Sequence, residues 1–171
     1  ELIKNQVNRI SRIIRDLVDF SRRSNYEIEL TDVNACVREA IAIVGVAKKA
    51  KPITFENTPD PRLPRLALVA DQIQQVIVNV LINAVDAIDE KFRVLPAAEQ
   101  AGKIGCRTRT EGNDLLIDIS DNGKGIPENQ MPKIFEPFFT TKQVGEGTGL
   151  GLWVSYGIIK SFQGEIRAES V

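Results

Sequence analysis

The sequence predicts an α/β protein in which a long N-terminal helix precedes a domain of mixed helices and strands. Heptad-like apolar spacing runs through the first 24 residues. Segments of helical and of alternating apolar periodicity then follow one another without internal repeats. The chain has 171 residues, 43% hydrophobic and 26% charged. It is therefore long enough for one domain with a sizeable core plus an appendage.

Residues 1 to about 24 are predicted to form one helix, because apolar residues recur at alternating steps of four and three. The residues of this seam are Ile3, Val7, Ile10, Ile14 and Leu17. Such a heptad seam favours packing against a partner helix. An ordinary amphipathic helix packed on its own domain is the alternative. A polar linker at 21–25 ends the helix, and a second domain begins near Ile28.

Helices and strands alternate through the rest of the chain. Capping residues at 31–34 precede the first helix of this part, and Pro52 ends it. The predicted elements are, in order, a helix at about 33–49, strands at 53–56 and 66–69, a helix at about 71–89, a hairpin of strands at 103–110 and 114–120, a helix at 149–162, and the start of a last strand at 164–168.

Charge and composition exclude several classes of function. A net charge of −1 gives no electrostatic reason to expect nucleic acid as a partner. No apolar run approaches the roughly 18–20 residues of a membrane span, so we expect a cytoplasmic protein with any membrane anchor outside this chain. The sequence contains no histidine, so no mechanism can use an imidazole supplied by this chain. Cys36 and Cys106 lack metal-type spacing and are predicted to be reduced thiols.

The predicted helix at 71–89 carries one narrow polar stripe on an otherwise apolar surface. The stripe residues are Gln72, Gln75, Asn79, Asn83 and Asp86. A helix so apolar on its other faces should be buried on most sides. Polar groups left without partners on a buried helix cost about 1–3 kcal/mol each. The stripe is therefore expected to face either a thin strip of solvent or a polar ligand.

The segment Asp121-Asn122-Gly123-Lys124-Gly125-Ile126-Pro127 directly follows a predicted strand. An aspartate followed by two glycines in a tight turn can present its carboxylate to a flat, amine-bearing ring without crowding. A calcium-binding loop is excluded, because its twelfth position would be Asn129 where a bidentate glutamate is needed. A simple β-turn without a ligand remains an alternative.

Two further segments complete the pattern. Three phenylalanines surround Pro137 and suggest an apolar anchor, although most of them are expected simply to pack in the core. The segment ends at Lys142. That lysine is either a phosphate contact or a solubilising surface residue. Four alternating glycines at 145–151 then enter a helical pattern. Such glycines let main-chain N–H groups approach a phosphate, with the helix N-terminus adding partial positive charge. A plain hinge is the alternative, and neither a Walker-type nor a dinucleotide glycine pattern occurs.

In their order along the chain, these segments resemble the asparagine, first glycine, phenylalanine and second glycine boxes of sensor histidine kinases. The four matching segments are 79–84, 121–125, 134–142 and 145–152. The resemblance covers nearly the whole chain. It implies a Bergerat-type α/β sandwich at 25–171, with a mixed sheet covered by helices on one face and its C-terminal strands missing. Residues 1–24 resemble the second helix of the dimerisation and phosphoacceptor hairpin.

The resemblance also implies which residues bind ATP and Mg²⁺. Asn83 is the expected Mg²⁺ ligand, Asn79 lies near the γ-phosphate, and Asp121 accepts a hydrogen bond from the adenine amino group. Asp86 stands where some family members place a basic residue, so phosphate neutralisation is expected to rest more on Mg²⁺ and Lys142. Asn79, Asn83 and Lys142 are thus the expected catalytic residues. The other expected nucleotide-binding residues are Gly123, Gly125, Ile126, Gly147, Thr148, Gly149, Leu150 and Gly151.

The activity that the resemblance implies is transfer of the γ-phosphoryl group of ATP to a histidine outside this chain, and from there to a response-regulator aspartate. The acceptor histidine would lie on a helix before Glu1, in the same or a partner subunit of a homodimer formed through the N-terminal helix. Related ATPases of this fold are expected to carry a glutamate base where this chain has Asn79, so ATP hydrolysis should be weak. A related ATPase, a protein-serine kinase of the same fold, and a nucleotide-binding interaction module without catalysis are the alternatives.

Overall fold

The computed structural model describes residues 27–47, 50–96, 100–142 and 147–170. By contact they form two compact units, Ile28–Ile126 and Pro127–Ser170, the latter grouped with Glu27. The predicted helix at 1–24 lies outside the described residues, as do positions 143–146 of the glycine-rich segment.

Helices and strands alternate along the described residues, which confirms the predicted α/β class. The elements are β1 Glu29–Thr31, α1 Val33–Gly45, β2 Ile53–Thr58, β3 Leu66–Leu68, α2 Ala70–Phe92, β4 Gly102–Glu111, β5 Asp114–Asp121, a 3-10 turn Met131–Lys133, and α3 Gly151–Ser161.

The main sheet is mixed, as the resemblance implied. Its strand order is β2-β4-β5. β2 runs parallel to β4, with Ile53 opposite Gly102, and β4 pairs antiparallel with β5, with Ile104 opposite Asp121. A separate antiparallel ladder joins β1 to β3. β1 was not predicted, because three residues are too few to show an alternating pattern.

One face of β4 is buried and the other is exposed. The buried face carries Gly102, Ile104, Cys106 and Thr108. A β-carbon built at Gly102 would lie 2.9 Å from the Ile88 side chain, so α2 contacts this face directly. The outward side chains form ion pairs instead, including Lys103 with Glu56 at 3.5 Å. Helices therefore cover the buried face of the sheet, while the other face is polar.

α2 is the central helix of the 28–126 unit and packs against α1, β4 and β5. Its buried residues are Ile73, Val76, Ile77, Leu81, Ala84, Val85 and Ile88. Asp32 caps α1 as predicted, its Oδ1 accepting from the Ala35 N–H at 3.1 Å. The apolar residues of α2 are buried or half-buried, as expected for a helix covered on most sides, apart from Ile82, which is 45% exposed. In the described part of the chain, no helix is long and apolar enough to cross a membrane.

A buried polar network joins α1, the loop after β2, and β4. The Thr108 hydroxyl, on a residue only 2% exposed, donates to Asn34 Oδ1 at 2.7 Å. It also accepts from the Asp60 N–H at 3.0 Å, while Asn34 Nδ2 donates to the Asp60 carbonyl at 2.8 Å. Because each of these polar groups has a partner, the hydrogen bonds of the network fix the loop and offset the cost of removing the groups from water.

Several predicted boundaries and one predicted strand differ from the structure. α1 ends at Gly45 rather than near Lys49, because glycine has a low helix propensity and weakens the helix at position 45. α3 begins at Gly151 rather than at 149, because Gly149 has a left-handed backbone with φ of +70°. The predicted last strand at 164–168 is not formed, since nothing among the described residues pairs with it.

Both cysteines are free and buried, as predicted for reduced thiols. Burial raises the pKa of the Cys106 thiol from 9.0 to about 11. Burial, followed by the Glu39 carboxylate, also raises the pKa of Cys36. Because the folded chain keeps a proton that the unfolded chain loses, the free energy of unfolding should fall between about pH 9 and pH 11, by at most about 1.4 kcal/mol per pH unit from Cys106.

This effect is measured by comparing urea unfolding of the wild type and of Cys106→Ala from pH 8.5 to pH 10.5. The stability difference between the two proteins should narrow as the pH rises. A difference that stays constant over this range would contradict the raised pKa.

Candidate functional site

The polar stripe of α2 is present and lies at the margin of the buried surface. Asn79, Asn83 and Asp86 are all half-buried, and each has an interaction partner. Residues three and four apart share one helix face, and four residues advance about 6 Å along the axis. The three side chains therefore form a short polar row between the apolar core and solvent.

The first glycine segment forms a tight turn at the end of β5. Asp121, the last residue of the strand, is exposed, and its Oδ1 accepts from the Gly123 N–H at 2.8 Å. The next side chain, Asn122, donates to the Ala101 carbonyl at 2.8 Å and accepts from the Lys103 N–H at 2.8 Å. The turn is thereby fixed to β4, and one carboxylate oxygen of Asp121 sets its inner geometry.

The same turn packs directly on α2. The Lys124 N–H donates to the Ala87 carbonyl at 3.2 Å. A β-carbon built at Gly123 would lie 2.7 Å from Ala87 Cβ, so a side chain there would push the turn off the helix. Gly125 takes a φ of +73°, and Ile126 is half-buried. Close approach of two backbones is the reason for glycine at position 123.

This contact brings two predicted site residues into one region of the 28–126 unit. Ala87 lies one helical turn after Asn83 on the same face, about 6 Å along the axis. Asp121 lies at the other side of the contact, two residues before Gly123. The structure therefore places the Asn83 amide and the Asp121 carboxylate on two elements that touch each other.

Two charged contacts that the sequence did not predict tie the turn to the end of α2. Lys91 Nζ donates to the Asn122 carbonyl at 2.6 Å. Lys124 Nζ forms an ion pair with Glu90 Oε2. Two features of the sequence could have indicated these contacts: the adjacent pair Glu90-Lys91 at a helix end, and a lysine between two glycines. Neither feature specifies which residue each charge contacts.

In the 127–170 unit, the predicted glycine segment is built around a backbone contact between Phe138 and Gly149. Both residues have a left-handed backbone, with φ of +66° and +70°. The Phe138 N–H donates to the Gly149 carbonyl at 3.0 Å. A β-carbon at Gly149 would lie 2.4 Å from the Phe138 carbonyl carbon. Only glycine fits at position 149, because the backbone is left-handed there and a β-carbon would overlap the Phe138 backbone.

The residues around this contact occupy different environments. A β-carbon at Gly147 would lie 2.8 Å from Thr140 Oγ1, and the same hydroxyl accepts from the Lys142 N–H at 3.2 Å. Thr148 and Lys142 are half-buried, whereas the Leu150 side chain is buried. Leu150 can therefore face a ligand only through its main chain.

α3 begins at Gly151, and its N-cap residue, Leu150, makes no side-chain capping hydrogen bond. The first N–H groups of a helix point along its axis and carry partial positive charge. This arrangement suits an anion, which is the role predicted for the glycine segment.

The phenylalanines of the 134–142 segment do not all pack in a core. Phe135 and Phe139 are half-buried, whereas Phe138 is 56% exposed. The Phe135 ring contacts the Tyr156 ring with centroids 5.7 Å apart, and Lys160 Nζ lies 5.5 Å from the Tyr156 centroid. The predicted apolar anchor is thus partly open to solvent at Phe138.

Replacing Gly149 with alanine should lower the free energy of unfolding by about 2–4 kcal/mol, because the methyl group meets the Phe138 backbone and φ is left-handed. Gly157→Ala is the matched control, since nothing lies within 4 Å of its β-carbon. Because Gly157 lies within α3, this substitution should raise the free energy of unfolding by up to about 1 kcal/mol. Urea unfolding measures the stability of both variants, and equal changes in the two would contradict the backbone contact.

Known proteins are similar to this chain in sequence and in fold. Residues 68–171 match the family described as histidine kinase-, DNA gyrase B-, and HSP90-like ATPase. Sensor kinase CckA of Brucella abortus (strain 2308) is 40% identical over 98% of this chain and 18% of its own length. The signal transduction histidine-protein kinase AtoS of Escherichia coli (strain K12) is 34% identical over 99% of this chain and 26% of its own.

Among solved structures, the nucleotide-free catalytic domain of histidine kinase ThkA is 29% identical, with a TM-score of 0.65 over 79% of this chain and 81% of that domain. The chain spans only 18% to 26% of the length of the two curated relatives. It belongs to the histidine kinase-, DNA gyrase B- and HSP90-like ATPase family, and it carries the ATP-binding catalytic domain of the sensor histidine kinase type.

Proposed function

We propose that this chain binds ATP together with Mg²⁺ and transfers the γ-phosphoryl group to a histidine outside the chain. The observation that carries the proposal is the direct contact of the glycine turn with α2, beside the Asn83 amide. This contact brings a hydrogen-bond acceptor for a purine and an oxygen ligand for a metal onto adjoining elements.

The adenine end of the nucleotide is assigned to the glycine turn. Asp121 is exposed, and its carboxylate uses one oxygen for the Gly123 N–H. A carboxylate has about four acceptor sites, so it keeps capacity for the adenine amino group. Gly123 and Gly125 leave the approach free of side chains, and Ile126 offers an apolar contact for the ring.

The metal end is assigned to the stripe of α2. Among the described residues, no group of three or more histidine, cysteine or acidic side chains could hold a metal ion. The donor set at Asn83 fits Mg²⁺ bound jointly with a nucleotide, because Mg²⁺ takes hard oxygen ligands and keeps phosphates and waters. Mg²⁺ would neutralise phosphate charge there. Asn79 and Asp86, one turn on either side, would orient the phosphates and the metal-bound water.

The phosphates are assigned to main-chain N–H groups of the second glycine segment. α3 begins at Gly151, and the dipole at a helix N-terminus favours an anion. The residues proposed to bind the triphosphate are Gly147, Thr148, Gly149, Leu150 and Gly151. Lys142 would add a positive charge near the transferred group.

The chemistry of Asn79 favours transfer over hydrolysis. An amide cannot take a proton from an attacking water, so the site has no general base at this position. Phosphoryl transfer needs mainly positioning and charge neutralisation. A histidine nucleophile is neutral near pH 7 and does not require that base. We therefore expect slow ATP hydrolysis and productive transfer to an imidazole.

One proposed partner has support from a relative. ThkA has been solved in complex with the response regulator protein TrrA, and we propose a response regulator as the final phosphoryl acceptor here. Residues 1–24 are proposed to be the second helix of the dimerisation and phosphoacceptor hairpin, and residues 25–171 the catalytic domain. The proposed assembly is a cytoplasmic homodimer whose acceptor histidine lies on the same or the partner subunit.

Asp121→Asn should lower ATP affinity by about tenfold to a hundredfold, because its amide NH₂ would face the adenine amino group and a charged hydrogen bond worth about 1.5–3 kcal/mol is lost. Asp118→Asn is the matched control, since Asp118 lies on the same strand and pairs with Arg109 at 2.9 Å. Calorimetric titration with ATP and Mg²⁺ measures both variants. Unchanged affinity in Asp121→Asn would contradict the adenine assignment.

Mixing the chain with ATP, Mg²⁺ and a separate histidine-bearing hairpin should yield acid-labile phosphate on the hairpin. Asn83→Ala should reduce this yield by at least about tenfold through loss of the metal ligand. The control is Gln74→Ala on the same helix, whose amide bonds Glu39 of α1 at 2.9 Å. ATP binding without any hairpin phosphate would favour a binding module, and rapid hydrolysis without transfer would favour a related ATPase.

A further inference from the structure

We infer that Glu90, Lys91 and Lys124 are positioning residues that fix the separation between α2 and the glycine turn, and thereby make the two ends of the nucleotide bind jointly. The inference rests on the proposed function, since it assigns adenine to the turn and the metal end to α2. None of the three is proposed to touch the nucleotide.

The turn keeps its own shape without help from α2. Asp121 Oδ1 accepts from the Gly123 N–H at 2.8 Å. The Asn122 side chain spans to β4 through the Ala101 carbonyl and the Lys103 N–H, both at 2.8 Å. The Asn122 N–H also donates to the Lys103 carbonyl at 3.3 Å. The adenine-binding geometry is therefore set by the turn and the sheet.

A second set of contacts joins this turn to α2. Lys91 Nζ donates to the Asn122 carbonyl at 2.6 Å, and Lys124 Nζ pairs with Glu90 Oε2. The Lys124 N–H donates to the Ala87 carbonyl at 3.2 Å. These contacts lie within one helical turn, at 87–91, directly after the position of Asn83. We call them the clamp.

The clamp adds to a backbone contact that supplies little attraction of its own. Gly123 approaches Ala87 so closely that a β-carbon would lie 2.7 Å from Ala87 Cβ. The apolar contact there is therefore small, and a glycine adds little buried area of its own. A single exposed ion pair contributes little, but three contacts at one site, two donated by the turn and one by α2, restrict the separation more than each alone.

This separation matters only for a ligand that reaches both elements. α2 is continuous through 70–92, so Asn83 moves with Ala87 and the clamp. A shift of the helix relative to the turn changes the distance from Asp121 to Asn83 without altering the turn. Adenosine would occupy only the adenine end, so its affinity does not depend on this distance. The affinity for ATP with Mg²⁺ does depend on it, because that ligand contacts both elements.

The test compares adenosine with ATP and Mg²⁺ on the full 171-residue chain by calorimetric titration. Each of Glu90→Gln, Lys91→Met and Lys124→Met should weaken ATP binding about threefold to tenfold and leave adenosine binding unchanged. The charge-swapped pair Glu90→Lys with Lys124→Glu should recover most of the ATP affinity. Because the swap keeps both charges, it tests the clamp even if a single variant unfolds.

Two controls separate the clamp from its surroundings. Arg93→Met removes a cation that pairs with Asp89 within α2 at 3.2 Å, and should alter neither affinity. Asn122→Ala loosens the turn itself and should weaken adenosine and ATP binding by the same factor. Circular-dichroism melting of every variant shows whether it remains folded at the titration temperature.

Equal losses for adenosine and ATP in the three clamp variants, or unchanged ATP affinity in all three, would overturn the clamp and leave the proposed function standing. A wild-type chain that binds neither ligand would contradict the proposed function, and the inference with it.

Discussion

The contact between Gly123 and Ala87 is the constraint on which the arrangement of the candidate site depends. A strand end and a helix meet there with no side chain between them, because the β-carbon of any other residue would overlap the helix. For the contact to form, β5 must end at Asp121 and α2 must turn its small residue towards the sheet edge. The polar stripe of α2 then faces the same edge, since Asn83 lies one turn before Ala87.

The layers behind this contact explain how it stays in place. The inward face of β4 packs on α2, where Gly102 contacts Ile88. Thr108, further along the same face, joins α1 and the loop after β2 through fully paired polar groups. The outward face has mostly exposed ion pairs, which add little stability. The position of α2 is therefore set from the buried side, and the site forms at the rim of that layer.

Much of the fold could be predicted from local pattern. The stripe of α2, the cap at Asp32 and the β4–β5 hairpin all depend on residues close in sequence. The three-residue β1 and the left-handed Gly149 could not be predicted so well, because short strands lack periodicity and a backbone angle depends on its neighbours in space. The last strand was predicted from its local sequence pattern, yet strands form only against a partner.

The candidate site could also be predicted only in part. Its residue types and their order could be predicted, because glycine, asparagine and aspartate at these spacings together have few purely structural explanations. The contacts that position these residues could not be predicted. Asn122 bonds Ala101 and Lys91 bonds Asn122, over separations of 21 and 31 residues. Nothing in a local window specifies which lysine meets which carbonyl.

The backbone contact of Phe138 with Gly149 has a consequence for how the chain between them can change. Phe138 and Gly149, both left-handed, are joined by one backbone hydrogen bond and are separated in sequence by the ten positions 139–148. The entropic cost of closing a flexible loop grows only with the logarithm of its length, at about 0.6 kcal/mol per doubling. The entropy of closure alone would therefore change little with the length of this segment, while Phe138 and Gly149 would still set where α3 begins.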